Sequence, residues 1–173
     1  MPKIAVSRVL LVALLSVSPL FAAAEEPVNR AVSQARQLVE RMKSFDSDGV
    51  ADLTYMRFFE RMGIDPEKPR QAFAQVNEQL KAMGARFTRF ELGQPRQPFA
   101  GDGQLYIFIP YVQEMEARGK RRFQEAFFIG VSEDQGQSWK FVDGTAATPQ
   151  NIKAVIPSYG GAPLPPKRQE VFN

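Results

Sequence analysis

The 173-residue chain contains no histidine and no cysteine, and its 22 Lys and Arg residues exceed its 19 Asp and Glu residues by three. Without the first two residue types it cannot form a Ser-His-Asp triad, a Cys-His nucleophile or a zinc site with the usual nitrogen and sulfur ligands. We therefore expect no metal and no cofactor. Any catalysis would have to use carboxylate, Tyr, Lys, Ser or Thr side chains.

Residues 1–24 have the three parts of a cleavable secretion signal. Lys3 and Arg8 supply positive charge, an apolar core follows from Val9, and three alanines end at Ala24. The core is shorter than the roughly 20 apolar residues that span a bilayer, although an uncleaved anchor is the alternative. We predict cleavage after Ala24 and a mature protein without a membrane anchor.

The composition of the remaining chain predicts a periplasmic or secreted location in a bacterium. Exported eukaryotic proteins commonly carry disulfides or N-linked glycans, and this chain has no cysteine and no Asn-x-Ser/Thr acceptor. Removing Lys3 and Arg8 from the 22 basic residues leaves 20 against 19 acidic residues, a net charge of +1. So small an excess gives no reason to expect a nucleic-acid partner.

Apolar residues at helical spacing predict three helices before residue 85. The first covers residues 28–45. The second begins at a cap, Asp48, ends at Gly63 and should be largely buried, because apolar side chains occupy more than one of its sides. The third runs from Pro66 or Pro69 to residue 83, where Gly84 stops it. The apolar stripes consist of Val28, Val32, Ala35, Leu38, Val39, Met42 and Phe45 in the first helix and of Phe73, Val76, Leu80 and Met83 in the third.

A change to a two-residue period predicts four strands, at residues 87–92, 104–115, 121–132 and 138–142. Pro110 in the second strand predicts a bulge or an edge, because proline has no N–H for a central ladder. Both alternating sets of side chains are apolar in the two long strands, so both faces of the sheet should be covered. We expect helices on one face and a curled interior or a second subunit on the other.

The end of the chain is expected to hold one short helix, capped by Thr148, and then a proline-rich tail. The run Ala162-Pro163-Leu164-Pro165-Pro166 has too many prolines for a helix or a strand and should lie extended on the surface. We assign residues 25–157 to a single domain and residues 158–173 to the tail.

A series of short motifs then suggests a family. They are Leu53-Thr54-Tyr55, Met83-Gly84-Ala85, Phe90-Glu91-Leu92-Gly93-Gln94-Pro95, Val131-Ser132-Glu133-Asp134, Trp139-Lys140-Phe141-Val142-Asp143-Gly144, Ile156-Pro157 and Leu164-Pro165. With these motifs the chain resembles the nuclear transport factor 2-like superfamily, in particular a group of exported bacterial proteins of unknown function. The resemblance implies an α+β fold, the cystatin-like roll, in which N-terminal helices pack on a strongly curved antiparallel sheet of about four strands.

The resemblance does not select an activity, because the superfamily includes cyclases, dehydratases and isomerases as well as binding or scaffold domains. Its catalytic members generally use a His-Asp pair or an Asp base with a Tyr hydroxyl. The first of these is impossible in a chain without histidine.

Residues 132–139, Ser-Glu-Asp-Gln-Gly-Gln-Ser-Trp, match the Asp-box pattern Ser-x-Asp-x-Gly-x-Ser/Thr-Trp without a mismatch. We interpret them as a structural hairpin turn in which Asp134 accepts backbone N–H groups, Gly136 takes a positive φ and Trp139 packs underneath. In sialidases the box recurs on successive blades of a propeller, which one copy in a short chain cannot build. Sugar binding is the alternative interpretation.

Five aromatic residues and one glutamate are the candidates for a functional site, and all but Tyr55 lie in predicted strands. Glu125 shares a strand face with apolar side chains and is the candidate catalytic acid or base. The alternative is that Glu125 forms a salt bridge to Arg89 or Arg121. Aromatic residues are candidates for ligand contact, or alternatively members of the core. These ligand-binding candidates are Tyr55, Tyr106, Tyr111, Phe123 and Phe127.

The two-sided apolar strands and the small number of acid-base groups favour a non-catalytic exported module. We expect it to bind a small apolar or amphipathic ligand, or a protein partner, in the concavity between sheet and helices. One alternative is a lyase or isomerase that uses Glu125 and a tyrosine as acid and base. Another is a homodimer or interaction protein that associates through its sheet.

Overall fold

The computed structural model describes residues 19–172, with side chains from residue 25 onward. Most of the predicted signal peptide, residues 1–18, lies outside the described residues. The described chain is an α+β protein in which four α-helices pack with an open antiparallel sheet of six strands. No helix of this part is long and apolar enough to cross a membrane. The helices are α1 (Pro19–Lys43), α2 (Ser47–Leu53), α3 (Arg57–Arg61) and α4 (Glu67–Ala82), and a 3₁₀ helix covers Asn151–Ala154.

Helix α1 carries the predicted apolar stripe but begins earlier than predicted. The predicted range of 28–45 begins with the first residue of the stripe, Val28, whereas the helix begins at Pro19, continues through Pro27 and ends at Lys43. On its inner face Ala35, Leu38 and Val39 are buried in one cluster with sheet residues. Helix α1 is therefore the element that anchors the helical layer to the sheet.

The single second helix predicted for the segment up to Gly63 is wrong, because the chain leaves the helix after α2 and forms α3 separately. At the break Tyr55 donates its backbone N–H to the carbonyl of Phe141, 2.9 Å away, and Thr54 forms a parallel bridge to the same residue. The segment is also less buried than predicted, since Met62 is 50% exposed. The pairing with the sheet edge determines the break.

The start of α2 and the end of α4 follow local capping rules, with one correction. The N-cap of α2 is Asp46 rather than Asp48, and its carboxylate accepts the backbone N–H of Gly49 at 2.9 Å. Helix α4 ends one residue before Met83, and Gly84 follows with φ +65°, which confirms its predicted role as the stop.

The sheet contains the four predicted strands and two more. Its strands are β1 (Arg86–Leu92), β2 (Phe99–Gly101), β3 (Gln104–Ala117), β4 (Lys120–Ser132), β5 (Lys140–Asp143) and β6 (Arg168–Phe172). The main order is β1-β3-β4-β5, while β2 also pairs with β3 and β6 also pairs with β4. The long β3–β4 hairpin is thus the centre of the sheet.

Two strands are missing from the sequence-based prediction, β2 and β6. The turn between β2 and β3 is Asp102-Gly103, with φ values of 54° and 76°, and this dipeptide is a strong local signal for a two-residue hairpin. Strand β6 lies in the proline-rich tail and pairs with β4 from Arg121↔Phe172 to Glu125↔Arg168. That pairing joins distant segments, so local periodicity does not reveal it.

Pro110 lies in the middle of β3, and the β3–β4 ladder passes it without the predicted bulge. Its carbonyl accepts the Gly93 N–H at 2.7 Å, so its nitrogen also faces the β1 side, because both groups of a residue point the same way in an antiparallel strand. There β1 ends at Leu92 and β2 begins only at Phe99. This gap is the local edge that the proline requires.

Both faces of the β3–β4 hairpin are covered, as predicted, and the chain itself supplies both covers. One face carries Ile109 and Phe128 and packs on α1. The opposite face carries Phe127 and packs on Ile156 and Tyr159, at and beyond the end of the 3₁₀ helix. Over this part of the sheet, the C-terminal segment takes the place of the expected curled interior or second subunit.

Candidate functional site

An apolar cavity of about 520 Å³ lies between the four helices and the sheet. This volume is within the range of small-molecule sites, about 300–1,000 Å³. Helices α1 to α4 and strands β1, β4 and β5 contribute to its walls. Its apolar lining includes Leu38, Met42, Phe45, Val50, Phe58, Phe59, Phe73, Val76, Leu80, Phe87, Phe128 and Phe141.

Helix α4 covers one side of this cavity without filling it. Its apolar stripe faces inward through Phe73, Val76 and Leu80, yet Pro69 is the one buried residue of the helix. Val76 lines the cavity and is 53% exposed, while Phe73 and Leu80 are half-buried, so the stripe of α4 is only partly packed. The cavity is therefore a consequence of incomplete packing between α4 and the sheet.

Three polar side chains interrupt the apolar lining. The hydroxyl of Thr54 donates to the carbonyl of Val50 at 2.8 Å, and the amide of Asn77 donates to the hydroxyl of Ser47 at 2.9 Å. Asp143, at the end of β5, is the charged member of the lining. The cavity thus combines a large apolar surface with a few fixed polar groups, as small-molecule sites usually do.

Asp143 belongs to a hydrogen-bonded network that continues into the core. The hydroxyl of Tyr111 lies 3.2 Å from each of its carboxylate oxygens, and Thr145 donates its backbone N–H to Oδ1 at 2.7 Å. The amide of Gln124, which is buried, donates to Tyr111 at 3.0 Å and to Thr145 at 2.7 Å. Burial raises the pKa of Tyr111, and the Asp143 carboxylate raises it further.

The predicted ligand-binding residues are not brought together. Tyr111 lies on the α1 side of the sheet, whereas Tyr106 and Phe127 lie in the cluster on the opposite side. Phe123 lines a shallow surface depression with residues of β6, and Tyr55 lines a charged groove beside α3. None of these five residues lines the apolar cavity, although the ring of Tyr111 packs on the lining residue Phe128, with centroids 4.6 Å apart.

Tyr55 and Tyr106 take part in a second polar cluster at the ends of β3 and β4. The hydroxyl of Tyr55 donates to Glu133 at 3.2 Å, and that of Tyr106 donates to Gln104 at 2.8 Å. Gln104 also donates to Glu133 at 2.9 Å, and Arg57 pairs with the same carboxylate at 2.5 Å. Burial raises the pKa of Tyr106 to about 12. The hydroxyls are thus held as hydrogen-bond donors in a structural network.

Glu125, the candidate catalytic residue, lies on β4 opposite Val112 of β3 and Arg168 of β6. It is partly exposed and is not part of the cavity lining. Among residues 25–172 it forms no ion pair within 4 Å, so the alternative salt bridge to Arg89 or Arg121 is not formed. Tyr111, the neighbour of its ladder partner Val112, points to the other side of the sheet.

The Asp-box segment forms the predicted turn. The Asp134 carboxylate accepts the backbone N–H of Ser138 at 2.8 Å and the hydroxyls of Ser138 and Ser132 at 2.6 and 2.8 Å. These bonds lower the pKa of Asp134 to about 2. Gly136 has φ +90°, and Trp139 is fully buried in the α1 side of the core. The segment therefore serves the structure of the hairpin.

The sequence predicts one wall of the cavity, because the helical spacing of Phe73, Val76 and Leu80 places them on one face of the third predicted helix. No such local signal marks Asp143, because its place in the lining depends on the pairing of β5 with β4. In the described residues no group of three or more His, Cys, Asp or Glu side chains is arranged to hold a metal ion.

Comparison of the chain with protein-family models, with curated proteins and with solved structures gave no match. The function is therefore argued from the cavity and its lining.

Proposed function

We propose that this protein is a non-catalytic module that binds a small apolar or amphipathic ligand in the cavity between α4 and the sheet. The observation that carries the proposal is the cavity of about 520 Å³, whose lining is mostly Phe, Leu, Val and Met. A site of this kind gains binding free energy by removing apolar ligand surface from water, about 25 cal/mol per Å². We also propose, from the sequence motifs, that its fold is the cystatin-like roll. From the signal-like pattern of residues 1–24, we propose that it is exported.

The lining residue Asp143 and its hydrogen-bonded neighbours favour binding over acid-base catalysis. The hydroxyl of Tyr111 is a weak acid because its pKa is raised, and the Asp143 carboxylate accepts donors from Tyr111 and Thr145. Groups held in this way orient a ligand but are poorly placed to move a proton at neutral pH. A lyase or isomerase that uses Glu125 with a tyrosine has less support, because Glu125 lies outside this lining.

A polar residue placed in the lining tests the proposal. Val76→Asp introduces a carboxylate at an exposed lining position of α4, and Ala74→Asp introduces the same group on the same helix outside the lining. We expect the neutral dye Nile red to bind the wild-type protein saturably and Val76→Asp at least about tenfold more weakly, because a charge opposes burial of apolar ligand surface. The measurement is a fluorescence titration.

The Ala74→Asp variant should bind the dye like the wild type, and circular dichroism would show that both variants keep their helices. The proposal fails if the wild type shows no saturable binding. It also fails if both variants lose binding to the same extent, because the effect would then not arise in the cavity.

A further inference from the structure

The charge of the cavity lining restricts the chemistry of its ligand. Asp143 is the single charged side chain among the lining residues of the described chain, and that lining contains no Lys or Arg. Asp143 is exposed, so its carboxylate is accessible to solvent and to the head group of a ligand. A ligand with a carboxylate or phosphate head at this position would meet a like charge, and no lining residue supplies a cation to offset it. The free fatty acids that an apolar cavity of this size would otherwise suit are disfavoured.

The Asp143 carboxylate is oriented by the chain but keeps acceptor capacity. Its Oδ1 atom accepts the Thr145 N–H at 2.7 Å, and its Oδ2 atom has only the Tyr111 hydroxyl at 3.2 Å among the described hydrogen-bond donors. An ionised carboxylate offers about four lone-pair sites, so Oδ2 can accept a further donor. The fixed neighbours reduce the cost of orienting this group when a ligand arrives.

We propose that the ligand is a free amphipathic amine, whose ammonium group donates to Asp143 while its apolar tail occupies the space beneath α4. The inference rests on the proposed function and adds the head-group chemistry. A charge-assisted N–H···O bond is stronger than a neutral one, so a cationic head is preferred over a hydroxyl at the same position. The aromatic lining residues suit either an alkyl or a ring-containing tail.

Three probes with one tail test this inference: decylamine, which is protonated at pH 7, decanol, which is neutral, and decanoate, which is anionic. Each probe is titrated, at concentrations below micelle formation, against Nile red bound to the full chain, and its displacement of the dye is measured. We expect decylamine to bind about tenfold more tightly than decanol, and decanol more tightly than decanoate. Asp143→Asn should bring decylamine to within about threefold of decanol, since the charge is then removed.

Glu116→Gln is the matched control, because it removes one negative charge at the far end of β3. It should keep the wild-type order of the three probes. A second measurement needs no variant: salt should weaken the binding of decylamine to the wild type and leave that of decanol nearly unchanged.

The outcomes separate the two proposals. If none of the three probes binds and Nile red does not bind, the proposed function fails. If the probes bind with equal affinity, if decanoate binds most tightly, or if salt leaves decylamine unaffected, the cavity binds apolar molecules but the assignment of an amine is wrong.

Discussion

At the scale of single residues, the Asp134 turn shows how one carboxylate organises a hairpin. It accepts one backbone and two hydroxyl donors from Ser132 and Ser138, and these bonds lower its pKa from 3.8 to about 2. Beside it, a Cβ on Gly136 would lie 2.6 Å from the side chain of Pro27, so the turn also packs closely on α1. The sequence pattern predicts this turn because the bonds to Asp134 all come from residues within four positions of it.

We predict that Asp134 makes the stability of the protein depend on pH. Because its folded pKa is below the ordinary value, its stabilising effect is complete above about pH 4 and is lost as the pH falls toward about 2. Asp134→Asn should lower the free energy of unfolding at neutral pH by about 1 kcal/mol or more. The difference from the wild type should shrink over this acid range, as measured by urea unfolding with Trp139 fluorescence.

Ser138→Ala keeps the Asp134 charge and removes one donor, so its loss of stability should be smaller at neutral pH. Parallel pH profiles for the wild type and Asp134→Asn would contradict the role assigned to the carboxylate.

At the scale of secondary-structure elements, α4 is the least integrated of the long helices. No residue of its inward stripe is fully buried and Val76 is 53% exposed, whereas α1 buries Ala31, Ala35, Leu38 and Val39 in the core cluster on the sheet. Few buried apolar contacts give an element a low free energy of local opening. Helix α4 is thus suited to admit a ligand without disturbing the core.

We predict that backbone amides of α4 exchange with solvent faster than those of α1. Local opening of α4 should expose its hydrogen bonds more often, because less apolar surface is uncovered when it opens. The measurement is hydrogen–deuterium exchange, comparing residues 73–82 with residues 31–39. A saturating concentration of a bound probe should slow exchange in α4 and leave α1 unchanged, and equal protection of both helices in the free protein would contradict the prediction.

At the scale of the whole molecule, one sheet separates two cores. Helix α1 closes the first core, and the C-terminal segment with Ile156 and Tyr159 closes the second. Strand β6 then returns to β4 at the edge of the sheet. The described chain therefore covers both apolar faces of its central hairpin with its own residues.

We predict that the full chain, expressed in a Gram-negative bacterium, is recovered from the periplasm with Glu25 as its first residue. Residues 1–24 have the charged start, apolar core and terminal alanines that this processing requires. Cleavage there keeps Pro27, which packs on the Asp-box turn, so the contact between α1 and the hairpin is retained. Mass spectrometry of the fractionated protein provides the test. An intact chain in the membrane or cytosolic fraction would contradict the prediction.

The sequence by itself determined the features that depend on neighbours along the chain. The helical stripes, the two long strands, the stop at Gly84 and the Asp134 turn follow from periodicity and local hydrogen bonding. The dipeptide Asp102-Gly103 is also a local signal for a hairpin turn, although the sequence-based prediction does not include the short strand before it.

Only the tertiary structure decided what depends on distant segments. The helix breaks at Tyr55 because its N–H pairs with Phe141, and the tail forms β6 because β4 offers an unpaired edge. The cavity likewise depends on the position of α4 relative to the sheet, and Asp143 joins the cavity lining because β5 pairs with β4. Periodicity reports which face of an element is apolar, but packing between elements decides whether that face is filled.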